Sequence, residues 1–171
     1  MKKIDFRTDV LPLKNELYRL ALRITLNPAE AEDIVQDTMI KIWNRREQWD
    51  DIESIEAFSL TICRNLALDR TKLAENQNAQ LDEGHDPPDS SYTSNPEEQA
   101  MQRDRINLVR RLIDQLPEKQ RSCMQLRDIE GKSYKEIADV MNITEQQVKI
   151  NIFRARQAIK QKFTDTEKYG L

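Results

Sequence analysis

Residues 133–156 read SYKEIADVMNITEQQVKINIFRAR, and this stretch decides the fold. Ser133 followed by Glu136 is the signature of a capping box, and Ile137, Ala138 and Met141 follow at helical spacing. Asn142 tolerates the left-handed backbone that ends a helix, although glycine is more usual there. Thr144 and Gln147 then open a second helix, which runs to about residue 163. Ala138 is small where two helices must cross closely, and Ile143 and Val148 plug the crossing. The pattern is a helix-turn-helix whose second helix can lie in a major groove. Its outward side chains are Gln146, Gln147, Lys149, Ile150, Phe153 and Arg154. Lysine and arginine hold such a helix on phosphates, while glutamine, arginine and apolar groups discriminate base edges. Helix pairs of this kind also occur in proteins that never touch DNA. Here residues 146–163 contain no acid but carry Lys149, Arg154, Arg156, Lys160 and Lys162, which favours the DNA reading.

Working outward, the charge is unevenly spread. Residues 101–171 carry 15 basic and 10 acidic side chains, so this half is net positive inside a chain of formal net charge -3. Residues 76–100 carry 6 acids and no base. Within them, ENQNAQLDEGHDPPDSSYTSN (residues 75–95) has a proline pair, a glycine and almost no aliphatic side chain. It buries too little apolar surface to offset its ordering entropy and reads as a flexible acidic linker over residues 76–95.

Helical patterns continue on both sides of it. Leu13, Leu17, Leu20, Ala21 and Ile24 share one face of a helix over residues 11–26. Asn27, Pro28 and Glu30 give an N-cap, a first-turn proline and a capping box for a second helix, expected to bury Ala31, Ile34, Val35, Met39, Ile42 and Trp43. A third, over residues 54–72, buries Phe58, Ile62 and Leu66. Beyond the linker Asn95, Pro96 and Glu98 repeat the start signal before a stripe of Val109, Leu112, Ile113 and Leu116. Pro117 opens the next helix, which ends near Gly131. Seven helices and no convincing strand predict an all-α protein. It comprises two small helical domains, residues 8–75 and 96–165, the second with the helix-turn-helix.

Composition narrows the function. The single histidine, His85, lies in the polar linker, and no phosphate-cradling glycine loop is present, so neither a catalytic triad nor a metal or cofactor site has its parts. No apolar run is long enough to span a membrane, and MKKIDFRTDV has no apolar stretch behind its basic residues. Cys63 and Cys123 sit in apolar periodic segments and read as buried thiols of a reducing cytoplasm.

Residues 116–159, LPEKQRSCMQLRDIEGKSYKEIADVMNITEQQVKINIFRARQAI, resemble region 4 of bacterial sigma factors. AEAEDIVQDTMIKIWNR (residues 29–45) is similar to their regions 2.1–2.2, and AFSLTICRNLALDR (residues 57–70) to regions 2.3–2.4. Three motifs in this order, with only a linker between the regions, resemble the extracytoplasmic-function (ECF) group. The resemblance implies a protein that is not an enzyme. Such a protein binds core RNA polymerase through its β′ clamp and β subunits, recognises the minus-ten and minus-thirty-five promoter elements and helps melt the duplex. It implies that Asp33, Gln36 and Asp37, with exposed Ile40 beside them, meet the clamp. It implies that Thr61, Arg64, Asn65 and Lys72, along one outward strip, meet minus-ten DNA. The loop over residues 45–54 corresponds to the one that holds a flipped base, so Trp49 either stacks on that base or plugs the space between helices. The linker would thread the polymerase channel later used by RNA, and an anti-sigma factor is a family expectation.

This chain departs from the family at several positions. Phe58 stands where relatives often carry tryptophan, and Gln146-Gln147 and Ile150-Asn151 replace the usual residues of the reading helix. The base preference is therefore expected to differ. Two other readings fit the residues: a plain helix-turn-helix regulator, and a helical adaptor that binds only proteins.

Overall fold

The computed structural model describes residues 3–78 and 96–169, and every regular element among them is helical. A π-type turn, Phe6–Val10, and a 3-10 turn, Leu11–Leu13, lead into α1, Lys14–Thr25. Helix α2 spans Pro28–Asn44 and α3 spans Ile55–Asn78, with the 3-10 turn Arg46–Asp51 between them. The second half holds α4, Pro96–Asp114; α5, Glu118–Met124, prolonged by the π-type turn Gln125–Ile129; α6, Tyr134–Met141; and α7, Glu145–Tyr169. The expected linker lies outside the described residues apart from its first three positions, which prolong α3.

The caps explain most of the boundaries. The Asn27 side chain accepts from the backbone N–H groups of Ala29 and Glu30, at 3.0 and 3.2 Å, and Pro28 takes the first helical position. Glu30 does not close the expected box. Thr25 Oγ1 faces the Asn27 N–H instead, and Glu30 reaches across to Arg70. Ser133 Oγ accepts from the Glu136 N–H at 3.1 Å and starts α6. Asn142, at φ 55°, ends it in the left-handed region. Leu26 does the same for α1 at φ 59°, a conformation that costs a leucine more than an asparagine. Helices α3 and α7 both run past their expected ends.

Two apolar clusters form. In the smaller, Val10, Ile42, Trp49 and Ile62 pack with Phe6 and Phe58 under the N-terminal turns. The two tryptophans fare differently: Trp43 departs from its expected core position, while Trp49 takes the second of its two expected places, plugging the space between helices. Trp43, expected in the core, is 45% exposed, because it falls at the edge of the Ala31–Ile34–Val35–Thr38–Ile42 stripe. Trp49 is buried instead and donates its indole N–H to the Ile42 carbonyl at 3.1 Å. That carbonyl belongs to the last turn of α2, which has no full set of intrahelical partners. Trp49 is therefore a core plug and cap and has no face free to stack on a base.

The larger cluster crosses between the two halves. Leu17, Leu20, Ile34 and Leu60 of the first half and Cys123, Leu126 and Ile137 of the second belong to one continuous set of buried side chains. Helices α1 and α3 pack on α5 and α6. Ion pairs rim the junction: Arg19 with Glu130, Arg23 with Asp114, Arg64 with Glu118, and Lys132 with Glu16 and Glu56.

Both cysteines are free and buried, as expected. Burial pushes the Cys63 thiol up to about 12 and the Cys123 thiol up to about 11. At pH 8 such thiols carry roughly a hundredfold to a thousandfold less thiolate than ordinary ones. The folded protein is expected to react negligibly with a charged disulfide reagent at pH 8, and in urea to release two equivalents. Fast reaction of either thiol in the native state would contradict this burial.

Candidate nucleic-acid and protein interfaces

The helix-turn-helix forms as the crossing residues require. Ala138 and Val148 are buried between α6 and α7, with Ile143 packed against them. The start of α7 is a reciprocal capping box: Thr144 Oγ1 accepts from the Gln147 N–H at 3.1 Å, and Gln147 Oε1 accepts from the Thr144 N–H at 2.9 Å. The Gln147 amide oxygen is thus committed to the backbone, and only its NH2 group remains for DNA, a narrower role than its outward position suggested. Gln146, Ile150, Phe153 and Arg154 are exposed on the same helix, Phe153 at 63%. Lys149 is exposed too, and its Nζ sits 5.3 Å from the centre of the Tyr134 ring, which positions the ammonium. Arg154 has no ion-pair partner among the described residues, whereas Arg156 is tied to Asp128 and braces α7 against the turn after α5.

The second candidate surface is the outer edge of α2. Asp33, Gln36 and Ile40 are exposed and Asp37 is half-exposed, in line at three- and four-residue steps. The sequence reading missed two contributors. Arg70, from α3, pairs with Glu30 at 2.8 Å and with Asp33 and Asp37 at 2.6 Å each. The hydrogen bond that Arg70 donates to Glu30 leads in raising the arginine's pKa further above its ordinary value. One arginine against three carboxylates leaves this edge acidic. The other is Trp43, which with Phe6, Met39 and Ile40 lines an apolar hollow beside the acids. Its place one turn beyond Ile40 was visible in the three-and-four spacing. The pairing with Arg70 was not, because it joins residues 33 to 40 positions apart.

The third surface, on α3, is less open than expected. Asn65 and Lys72 are exposed, but Thr61 is half-buried and donates its hydroxyl to the Ala57 carbonyl. Arg64 was expected to point outward. It is only 8% exposed, because α5 covers it and its guanidinium grips Glu118 through two hydrogen bonds of 3.2 and 3.0 Å. Phe58 and Thr61 face Glu136 and Asp139 of α6 across a cleft between the halves. Among the described residues no three His, Cys, Asp or Glu side chains converge on a metal site. No described helix is long and apolar enough to cross a membrane.

Two helical modules, one presenting a capped helix with an acid-free exposed face, define a DNA-binding protein of the helix-turn-helix class. Comparison with known proteins narrows the class. Residues 10–75 match the family model "Sigma-70 region 2", and residues 106–159 match "Sigma-70, region 4". The RNA polymerase sigma-H factor of Pseudomonas aeruginosa is 31% identical, over 88% of this chain and 81% of that one. The ECF RNA polymerase sigma factor SigW of Bacillus subtilis is 28% identical, over 94% and 90%. Among solved structures, the sigma factor RpoE in complex with the anti-sigma factor NepR from Bartonella quintana superposes with a TM-score of 0.73, at 22% identity over 92% of this chain and 95% of that one. CnrH in complex with the cytosolic domain of CnrY gives 0.67, at 19% identity over 94% and 88%. The chain belongs to the sigma-70 family of sigma factors, in its ECF group. It initiates transcription by binding RNA polymerase and promoters, and is not an enzyme.

Proposed function

We propose that residues 8–75 dock on core polymerase and engage the minus-ten element, and that residues 96–165 read the minus-thirty-five element, with residues 76–95 as the tether. The acidic edge of α2, Asp33, Gln36 and Asp37 with Ile40, meets the β′ clamp. Carboxylates and an amide beside an apolar hollow suit a partner helix that carries both arginine and apolar side chains. Helix α7 enters the major groove with Gln146, Lys149, Ile150, Phe153 and Arg154, and Gln147 contributes its NH2 group. Thr61, Asn65, Lys72 and a released Arg64 contact the minus-ten strand, where a cation, an amide and a hydroxyl suit single-stranded DNA. The observation that carries the reading is that the α2 edge and the α7 face are both exposed, on opposite modules, with complementary chemistry. The chain works in the cytoplasm, where core polymerase and promoters are.

One of the similar solved structures is a sigma factor held by an anti-sigma factor. We infer that this chain is also held by an anti-sigma protein, which covers part of the surfaces above.

The deciding experiment is copurification with core polymerase, followed by run-off transcription on a genomic library. A sigma factor confers new start sites on core polymerase. If the protein binds a duplex by itself and adds no start site, it acts as a plain helix-turn-helix regulator.

A further inference from the structure

We propose that Gln146 and Ile150 are the specificity-determining residues of α7, and that they make it a reader of A·T pairs. Ile150 and Phe153 frame a seat for the C5-methyl group of thymine, and Gln146 reads an adenine beside it. The inference rests on the reading of upstream promoter DNA by α7 proposed above.

Helix α7 carries two apolar stripes, and only one of them has a partner in the protein. Val148, Ile152 and Ala155 are buried on the side that packs on α5 and α6. Ile150 and Phe153 lie on the opposite side, 40% and 63% exposed, and neither joins an apolar cluster. A single exposed apolar side chain is ordinary. Two of them one turn apart, bordered by Lys149 on one side and Arg154 on the other, are not, because the stretch around them has no acid over residues 146–163. The partner that fits is anionic and yet offers apolar groups. In a major groove the thymine methyl is the group of that kind, and isoleucine and phenylalanine are suited to touch it.

The amides at the start of α7 divide the remaining work. Adenine presents an acceptor and a donor in the major groove, so an amide that reads it with two hydrogen bonds must have both its NH2 group and its oxygen free. Gln147 does not, because its oxygen accepts from the Thr144 N–H. Asn151 does not reach out either, since its Nδ2 donates to the Gln147 carbonyl at 2.8 Å. Those two side chains build the helix. Gln146 is exposed and makes no hydrogen bond among the described residues, so both ends of its amide are available. It stands one turn before Ile150 on the same stripe. From Gln146 to Phe153 the stripe runs about 10 Å along the helix axis, or about three base-pair steps. One short A·T-containing run therefore meets all three side chains together.

The test is run-off transcription by limiting holoenzyme on templates altered at single functional groups. Each thymine of the upstream element is replaced in turn by deoxyuridine, which keeps the base pair and removes only the methyl group. Each adenine is replaced in turn by 2-aminopurine, which still pairs with thymine but lacks the amino group in the major groove. Wild type is expected to lose about fourfold at one or two thymines, the worth of one buried methyl group. It is expected to lose about fivefold or more at one neighbouring adenine. Ile150→Ser is expected to transcribe the natural promoter more weakly and to become indifferent to deoxyuridine at one of those positions. Gln146→Ala is expected to become indifferent to 2-aminopurine in the same way. Both side chains are exposed, so melting temperature and binding to core polymerase are expected to stay at wild-type values. The proposal is overturned if deoxyuridine costs wild type nothing at any position, if Ile150→Ser keeps the full sensitivity at every thymine, or if Gln146→Ala still responds to 2-aminopurine. Failure of the underlying reading looks different: Lys149→Ala and Arg154→Ala would then also transcribe like wild type on every template.

Discussion

Asp33→Arg combined with Asp37→Arg is expected to abolish association with core RNA polymerase, a loss of at least about a hundredfold in affinity. The two substitutions change the charge of the α2 edge by four and place two guanidinium groups beside Arg70. A surface that offered carboxylates to a basic partner then repels it, and like charges at an interface cost several kcal/mol. The fold should tolerate the change. Both side chains are well exposed, at 57% and 42%, and the ion pairs lost to Arg70 are of the kind that contribute about 0.2–1 kcal/mol each. A lowered melting temperature with unchanged helical circular dichroism is therefore anticipated, together with a missing polymerase peak in size-exclusion chromatography. Arg70→Ala is the informative control. It breaks the same ion pairs but leaves the carboxylates, so it should cost similar stability and retain polymerase binding. If the double variant still comigrates with core, the clamp contact does not run through this edge. If Arg70→Ala loses binding as completely, the arginine positions the acids and the edge works as one preset unit.

What the sequence made legible follows a physical rule. Local signals were read well. Asn27, Pro28, Ser133 and Asn142 act within a few residues of themselves, and the structure shows each of them starting or ending its helix. The helix-turn-helix crossing was legible for the same reason, since Ala138, Asn142 and Val148 lie within one short stretch. Periodicity failed where two apolar candidates competed for one space. Trp43 and Trp49 are six residues apart and both border the small cluster. Only the three-dimensional reach of the Trp49 indole to the Ile42 carbonyl decides which is buried. Leu26 gave no signal, because a left-handed leucine is chosen by the turn between α1 and α2 and not by its own preference. The least legible feature was the one that changes the functional picture most. Arg64 and Glu118 are 54 residues apart and Arg19 and Glu130 are 111 apart, so no pattern in the chain couples them. A side chain placed on an outward strip of an isolated helix is buried once a second module lands on it.

Arg154→Ala is expected to lower transcription from the dependent promoter by about 5- to 150-fold, corresponding to about 1–3 kcal/mol for one lost base contact, and to relax preference at one position of the upstream element. Lys149→Ala is expected to lower it less, and equally for all variants of that element. The geometry separates the two residues. Arg154 is exposed, lies one residue beyond exposed Phe153 and has no ion-pair partner among the described residues, so its fork is free to span the two acceptors of a guanine. The Lys149 ammonium is held against the Tyr134 ring and acts as a point charge, which suits a phosphate. Phe153, 63% exposed, is placed to touch a thymine methyl or a sugar beside them. Isolated, this face makes too few phosphate contacts for strong binding, and its affinity should fall steeply with salt. The effects are therefore measured in the holoenzyme, where polymerase tethers α7 beside the promoter and raises its effective concentration. The measurement is run-off transcription across all single-base variants of the upstream element at fixed salt. A position-specific loss for Arg154→Ala and a uniform loss for Lys149→Ala assign the roles as stated; the opposite pattern exchanges them. If both variants transcribe like wild type at every position, the exposed face of α7 does not read the promoter.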